Sequence, residues 1–134
     1  MVEPGYAPVR VVEIDDDHRV ISEMLQSLLD AVREDNWARA EICATALEQK
    51  AIAHFAREEG LMEGIGYPAL QRHKQAHDQF LAEARARLDE LRRRGLTSAC
   101  LRWVVEVMDW FRLHVLREDM PLARALIAAR RIVR

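Results

Sequence analysis

Apolar residues recur along this chain at alternating steps of three and four, the spacing that collects them on one face of a helix. A first stripe runs Ile14, His18, Ile21, Leu25, Leu28, Val32, and a second runs Cys43, Leu47, Lys50 or Ala51, His54, Glu58, then Leu61 or Met62. A third holds Leu70, His73, His77, Phe80, Ala84, Leu88 and Leu91, and a fourth Val104, Val107, Phe111 and His114. These stripes predict helices over about 15–34, 37–62, 69–94 and 97–118, with one more short helix over 121–132. No segment alternates every second residue between turn signals, so strands are not expected. Helices of similar length with short loops predict an all-α fold: an antiparallel up-down-up-down four-helix bundle with a short C-terminal helix.

Local punctuation supports these bounds. Asp15-Asp16-Asp17 offers an N-cap candidate and acidic first-turn residues for the first helix. Asp35-Asn36 makes a short connection, and Gly60, Gly64, Gly66 and Pro68 close the second helix and open the third. Arg92-Arg93-Arg94-Gly95 reads as a helix C-terminus, and Thr97 or Ser98 as the next cap. Pro121 is expected to break or kink the chain.

Composition narrows the class without deciding the function. A chain of 134 residues fits one domain over 1–134. A net charge of −2, with charges of both signs interspersed, implies no pull toward nucleic acid or membrane. The opening Met1-Val2-Glu3-Pro4-Gly5 lacks the basic-then-apolar pattern of an export signal, and no apolar run nears the ~18–20 residues of a membrane span. Cys43 and Cys100 are expected as buried thiols rather than a disulfide, in a cytoplasmic protein.

The chemistry lies in what interrupts the stripes. His18, His54, Glu58, His73, His77 and His114 occupy positions that should be apolar, Asp119 follows, and the chain has no other histidine. His54 with Glu58, and His73 with His77, are four residues apart and so project from one helix face. His114 and Asp119 are five apart, which an ideal helix separates by about 140°. They converge only if the helix loosens or ends there. Left unpaired, such groups would each cost several kcal/mol of desolvation, a load that a domain with roughly 5–15 kcal/mol of net stability does not carry. Metal explains them.

Five imidazoles and two carboxylates exceed one tetrahedral zinc, and the absence of thiolates argues against structural zinc or iron–sulfur clusters. Imidazole with carboxylate suits iron, with copper, manganese or zinc as lesser options. Two six-coordinate metals that share both acids and one solvent-derived oxygen as bridges would be filled by these donors except at one position. A ferritin-like centre would show Glu-x-x-His motifs, and none occurs here.

These residues resemble the hemerythrin family, in particular its bacterial single-domain members, from about Ile14 to Ala123. Ile14-Asp15-Asp16-Asp17-His18 resembles that family's I-D-x-x-H. His54 to Met62, Tyr67-Pro68, His73 and His77 resemble H-F-x-x-E-E-x-x-M, Y-P and H-x-x-x-H. Trp110 to His114, then Asp119, resembles W-x-x-x-H-x-x-x-x-D. Val9 to Val12 stand where the family often carries a tryptophan, so the arm ahead of the first helix is expected to pack differently.

The resemblance implies two iron ions (Fe2+/Fe3+) joined by an oxo or hydroxo bridge. One iron would take His73, His77 and His114, the other His18 and His54, with Glu58 and Asp119 bridging. Dioxygen would bind reversibly at the two-histidine iron, beside a pocket of Ile21, Met62, Trp110, Phe111 and Val115. Oxygen carriage, storage or buffering is favoured over catalysis, because an apolar pocket offers no general acid. The alternatives are a di-iron enzyme (peroxidase, ferroxidase or nitric oxide reduction) and an oxygen or redox sensor acting through a protein partner, hinted at by the basic stretch from Arg124 to Arg134. A monomer or weak oligomer is expected.

Overall fold

The computed structural model describes residues 7–132, of Ile132 the backbone alone. The opening pentapeptide and the end of the basic tail therefore lie outside the described residues. Four long helices form: α1 (Val12–Arg33), α2 (Trp37–Gly64), α3 (Leu70–Arg94) and α4 (Ser98–His114). A five-residue π-helical turn, Val115–Asp119, follows α4 and leads without interruption into α5 (Met120–Ile132). Each of the four inward faces repeats the hydrophobic stripe of its sequence, and the helices pack as an up-down bundle.

The core is divided along its length. At the end near the α1–α2 loop, Leu28, Leu29, Ala31, Ala40, Ala44, Leu88, Leu91 and Val104 are buried together. Ala40 and Ala44 are small enough to let α2 approach its neighbours closely. Trp37 Nε1 donates to the Leu91 carbonyl at 3.1 Å, which ties the start of α2 to the end of α3. Gly95 ends α3 at φ +72°, its N–H donating to the same carbonyl at 2.9 Å. Toward the other end, buried histidines and carboxylates lie among apolar side chains such as Ile14, Met62 and Val115.

Two local expectations are corrected. α1 begins three residues before the predicted start, with Val11 at the N-cap position and no side-chain cap. The aspartate run instead works from inside the helix. Asp15 accepts from the backbone N–H groups of Val9 (2.9 Å) and Arg10 (3.0 Å), which pins an arm whose Val9 and Val11 are buried, while Asp17 turns inward and is buried. The cysteines are free, as expected, but only half-buried. Cys100 lies at the start of α4, its Sγ accepting from the Thr97 N–H at 3.5 Å.

Pro121 neither breaks nor ends the helix. Ahead of it the Met120 N–H reaches back five residues to the Val115 carbonyl. An α-helical Pro121 would lack its own N–H and crowd the carbonyl four residues back. The wider turn makes room for the ring and lets the helix continue.

Leu28 is buried in the apolar half, away from every buried histidine stripe position. Leu28→Ala should therefore cost about 2–5 kcal/mol of stability, read as a lowered urea midpoint in the metal-free protein.

Candidate metal centre

All four long helices and the π turn contribute to one buried polar cluster. α1 supplies His18, α2 His54 and Glu58, α3 His73 and His77, α4 His114, and the π turn Asp119; each is at most 5% exposed. The structure brings together all seven donors singled out in the sequence. Their atoms form two groups, Glu58 with His73, His77, His114 and Asp119, and His18 with His54, Glu58 and Asp119. Within each group the candidate atoms lie within 4.8 Å of one another. Glu58 and Asp119 belong to both groups.

The imidazoles present Nε2 to this shared space. His18 Nε2 is 2.8 Å from Asp119 Oδ2, and His73 and His114 Nε2 are 3.0 and 3.2 Å from Asp119 Oδ1. Glu58 Oε1 stands 3.1 Å from His77 Nε2, 3.6 Å from His54 Nε2 and 3.7 Å from His73 Nε2. His77 and His114 Nε2 are 3.2 Å apart. Two neighbouring donors, each about 2.1 Å from an octahedral metal, would stand about 3 Å apart. The spacings are those of donors gathered around a common ion.

Satisfaction of the polar atoms gives an independent test of the fit. Among the described residues, both Glu58 oxygens, His54 Nε2 and His73 Nε2 are buried without a hydrogen-bond partner. Such orphans cost about 1–3 kcal/mol each, and a cation between them removes that cost. Nitrogen and carboxylate donors without sulfur fit iron.

The π turn resolves the weakest point of the sequence pattern. On a regular α-helix Asp119 would face away from His114 by about 140°. With one extra residue taken into the turn, as in the five-residue Met120-to-Val115 bond, Asp119 comes round under His114. Such π turns are often found at functional sites for this reason.

A layer behind the donors escaped the sequence reading. Asp17 Oδ2 accepts from His54 Nδ1 at 2.9 Å, and Glu59 Oε2 from His77 Nδ1 at 3.0 Å. Each bond fixes the proton on Nδ1 and leaves Nε2 free to ligate. The signal available was adjacency: both acids neighbour a candidate ligand, Asp17 next to His18 and Glu59 next to Glu58. Aromatic rings complete the support. Phe55 stacks on His77 with centroids 3.9 Å apart, and Trp110 on His114 at 4.5 Å.

Of the pocket positions implied by resemblance, Ile21, Met62, Phe111 and Val115 are buried and Trp110 is partly buried. A small cavity of about 20 Å³ is walled by Ile21, Trp110 and Phe111 together with Phe55 and Phe80, and none of the seven donors lines it. Met62 and Val115 are not among its walls.

Burial shapes the charges. It pushes the Glu58 carboxyl well up, and the neighbouring Asp119 adds to the push. Asp119 itself is held well down, because the imidazoles of His114, His18 and His73 gathered against its carboxylate outweigh its burial. Burial, then the charges of His114 and His73, bring His77 down to about 2, so its imidazole is neutral and able to ligate. Burial also lowers His54 despite the Asp17 hydrogen bond. Asp17 stays ionised, since the hydrogen bonds of His54 and Lys50 outweigh its own burial.

The comparisons with known proteins agree with this geometry. The family profile described as "Hemerythrin HHE cation binding domain" matches residues 9–126. A bacteriohemerythrin of Ralstonia nicotianae is 32% identical over 104 residues, covering 75% of this chain and 70% of that protein. One from Stenotrophomonas maltophilia is 40% identical over 91 residues, covering 59% of this chain and 58% of its own. The match to a Pseudomonas aeruginosa bacteriohemerythrin, 37% identical over 68 residues, spans 44% of that protein. A crystal structure of a hemerythrin mutant superposes with a TM-score of 0.82 at 25% identity, over 94% of this chain and 95% of the other.

The opposed carboxylates generate a paired prediction for the metal-free protein. Glu58, with its folded pKa raised, opposes folding at every pH above its ordinary value. Each pKa unit is worth about 1.4 kcal/mol. Glu58→Gln should therefore raise the urea midpoint at pH 7 while weakening metal uptake. Asp119, with its pKa lowered, supports folding above its ordinary value and loses that support as pH falls. Asp119→Asn should lower the same midpoint.

Proposed function

This chain belongs to the hemerythrin family, whose domain binds non-haem iron, and from that premise we propose that it binds dioxygen reversibly at a di-iron centre. In this reading residues 1–134 are one such domain. His73, His77 and His114 hold one iron, His18 and His54 the other, and Glu58 and Asp119 bridge them beside an oxo or hydroxo group. The observation that carries the proposal is the division of the donors into two groups that share only the two carboxylates. Five histidines then leave one position vacant on the two-histidine side. When bound, the iron pair supplies two electrons and a vacant position for a diatomic ligand.

The chain's own residues make binding reversible rather than destructive. Phe111 packs edge-on to His18 with ring centroids 5.4 Å apart and Phe55 lies 5.8 Å from His54, apolar surface that keeps water from the vacant side, with Ile21 and Trp110 in the same buried packing. Met62 and Val115, each fully buried, add to the dry packing of the site. Asp17 and Glu59 hold His54 and His77 in the ligating tautomer. Phe111 and Phe55, the rings packed against His18 and His54, have no proton to deliver, which favours carriage, storage or buffering over a peroxidase, ferroxidase or nitric oxide reductase. No described helix is long and apolar enough to cross a membrane. The proposal places the protein in the cytoplasm, where Cys43 and Cys100 stay reduced.

Two measurements test this reading. The purified protein should carry two irons per chain, and His77→Ala should lose most of them; full occupancy in that variant would remove His77 from the ligand set. Reduced anaerobically, exposed to oxygen and then degassed, the iron-loaded protein should gain and lose a visible band over repeated cycles. A single irreversible conversion with turnover of peroxide or nitric oxide would instead make it an enzyme.

A further inference from the structure

The two halves of the cluster are backed by carboxylates in unlike company. Behind His54, Asp17 accepts from Lys50 Nζ at 2.8 Å as well as from the imidazole, and lies 3.1 Å from Arg57 Nε. Two cations thus face one anion, and the trio carries a net positive charge. Behind His77, Glu59 holds the imidazole Nδ1 at 3.0 Å. Among the described residues it pairs with no lysine or arginine, and the nearby Lys74 is engaged by Asp78 at 2.9 Å.

A carboxylate on the outer nitrogen of a metal-bound imidazole strengthens that ring as a donor and places a negative charge about two bond lengths behind it. A cation clamped to the carboxylate withdraws much of this effect. Glu59, bare and partly buried, acts at full strength. Asp17, between Lys50 and Arg57, does not.

Resting on the di-iron reading, we propose that Glu59 and the Asp17–Lys50–Arg57 trio polarise the metal pair. Glu59 makes the His73/His77/His114 half the one that holds Fe3+ after a single electron is lost. The trio keeps the His18/His54 half ferrous, and that half is the one with the vacant position. Both acids are positioning residues, because they act through an imidazole and touch no ligand in the vacant position. The electron balance is simple. One Fe2+ becomes Fe3+ on the Glu59 side, an outer-sphere oxidant such as ferricyanide takes the electron and becomes ferrocyanide, and no bond or proton moves.

The test is a redox titration of the iron-loaded wild type, Glu59→Gln and Arg57→Gln, each with its iron counted per chain. Wild type should lose its two electrons in two separate steps. Glu59→Gln removes a negative charge beside the iron oxidised first. It should raise the first midpoint by about a tenfold change in equilibrium, about 59 mV for one electron, and leave the second nearly in place. Arg57→Gln removes a half-exposed, partly screened positive charge beside the other iron, and should lower the second midpoint by a smaller, roughly threefold change. Equal movement of both midpoints, or the reverse assignment of the two variants, overturns the polarity. A wild type without two irons per chain sinks the di-iron reading and this inference together, whereas two irons with unmoved midpoints sinks this inference alone.

Discussion

The structure depends on one constraint: buried nitrogen and oxygen donors need a partner, and at one end of this bundle the protein supplies too few. Glu58 carries the problem in its sharpest form. Among the described residues neither of its buried oxygens has a hydrogen-bond partner, and burial forces its pKa upward. A helical domain would gain stability by replacing it with an apolar side chain of similar volume. Its presence among five buried imidazoles is intelligible if a cation normally stands between them. The apolar half, built on Leu28, Leu88, Leu91 and Val104, supplies the stability that the polar half forgoes.

Placement of the donors is shared among rigid elements. Every candidate imidazole rides on a helix of seventeen residues or more, and the rings of His54, His77 and His114 are further held by a carboxylate or by aromatic stacking. Asp17 and Glu59 orient His54 and His77 by hydrogen bonds; Phe55 and Trp110 flatten against His77 and His114. Such support keeps the donors close to ligating geometry before any ion arrives, so little ordering remains to be done on binding. The π turn belongs to the same arrangement, because it rotates one carboxylate into place without ending the helix that carries it.

The surroundings decide what a metal pair held here would do. Aromatic rings pack against His18, His54, His77 and His114, while the charged Asp17, Lys50 and Arg57 gather behind His54. Charge placed there would act on a bound metal through its imidazole ligands.

The helices, their inward faces and the seven candidate donors were legible in the amino-acid order, because a 3.6-residue period places every third or fourth residue on one face whatever the helix packs against. His54 with Glu58, and His73 with His77, follow directly from that period. Three features were settled only by the tertiary structure. Asp119 joins the cluster because a π turn absorbs one residue, and a local bond pattern of that kind has no signature in hydrophobic spacing. Asp17 and Glu59 serve His54 and His77 because neighbouring helices bring them within 3.0 Å; Asp17, read from its place in the chain, suggested only a helix cap. The division of the donors into two groups sharing Glu58 and Asp119 depends on the rotation and offset of four packed helices. Periodicity orients each helix toward the core, but only side-chain packing between helices sets those distances.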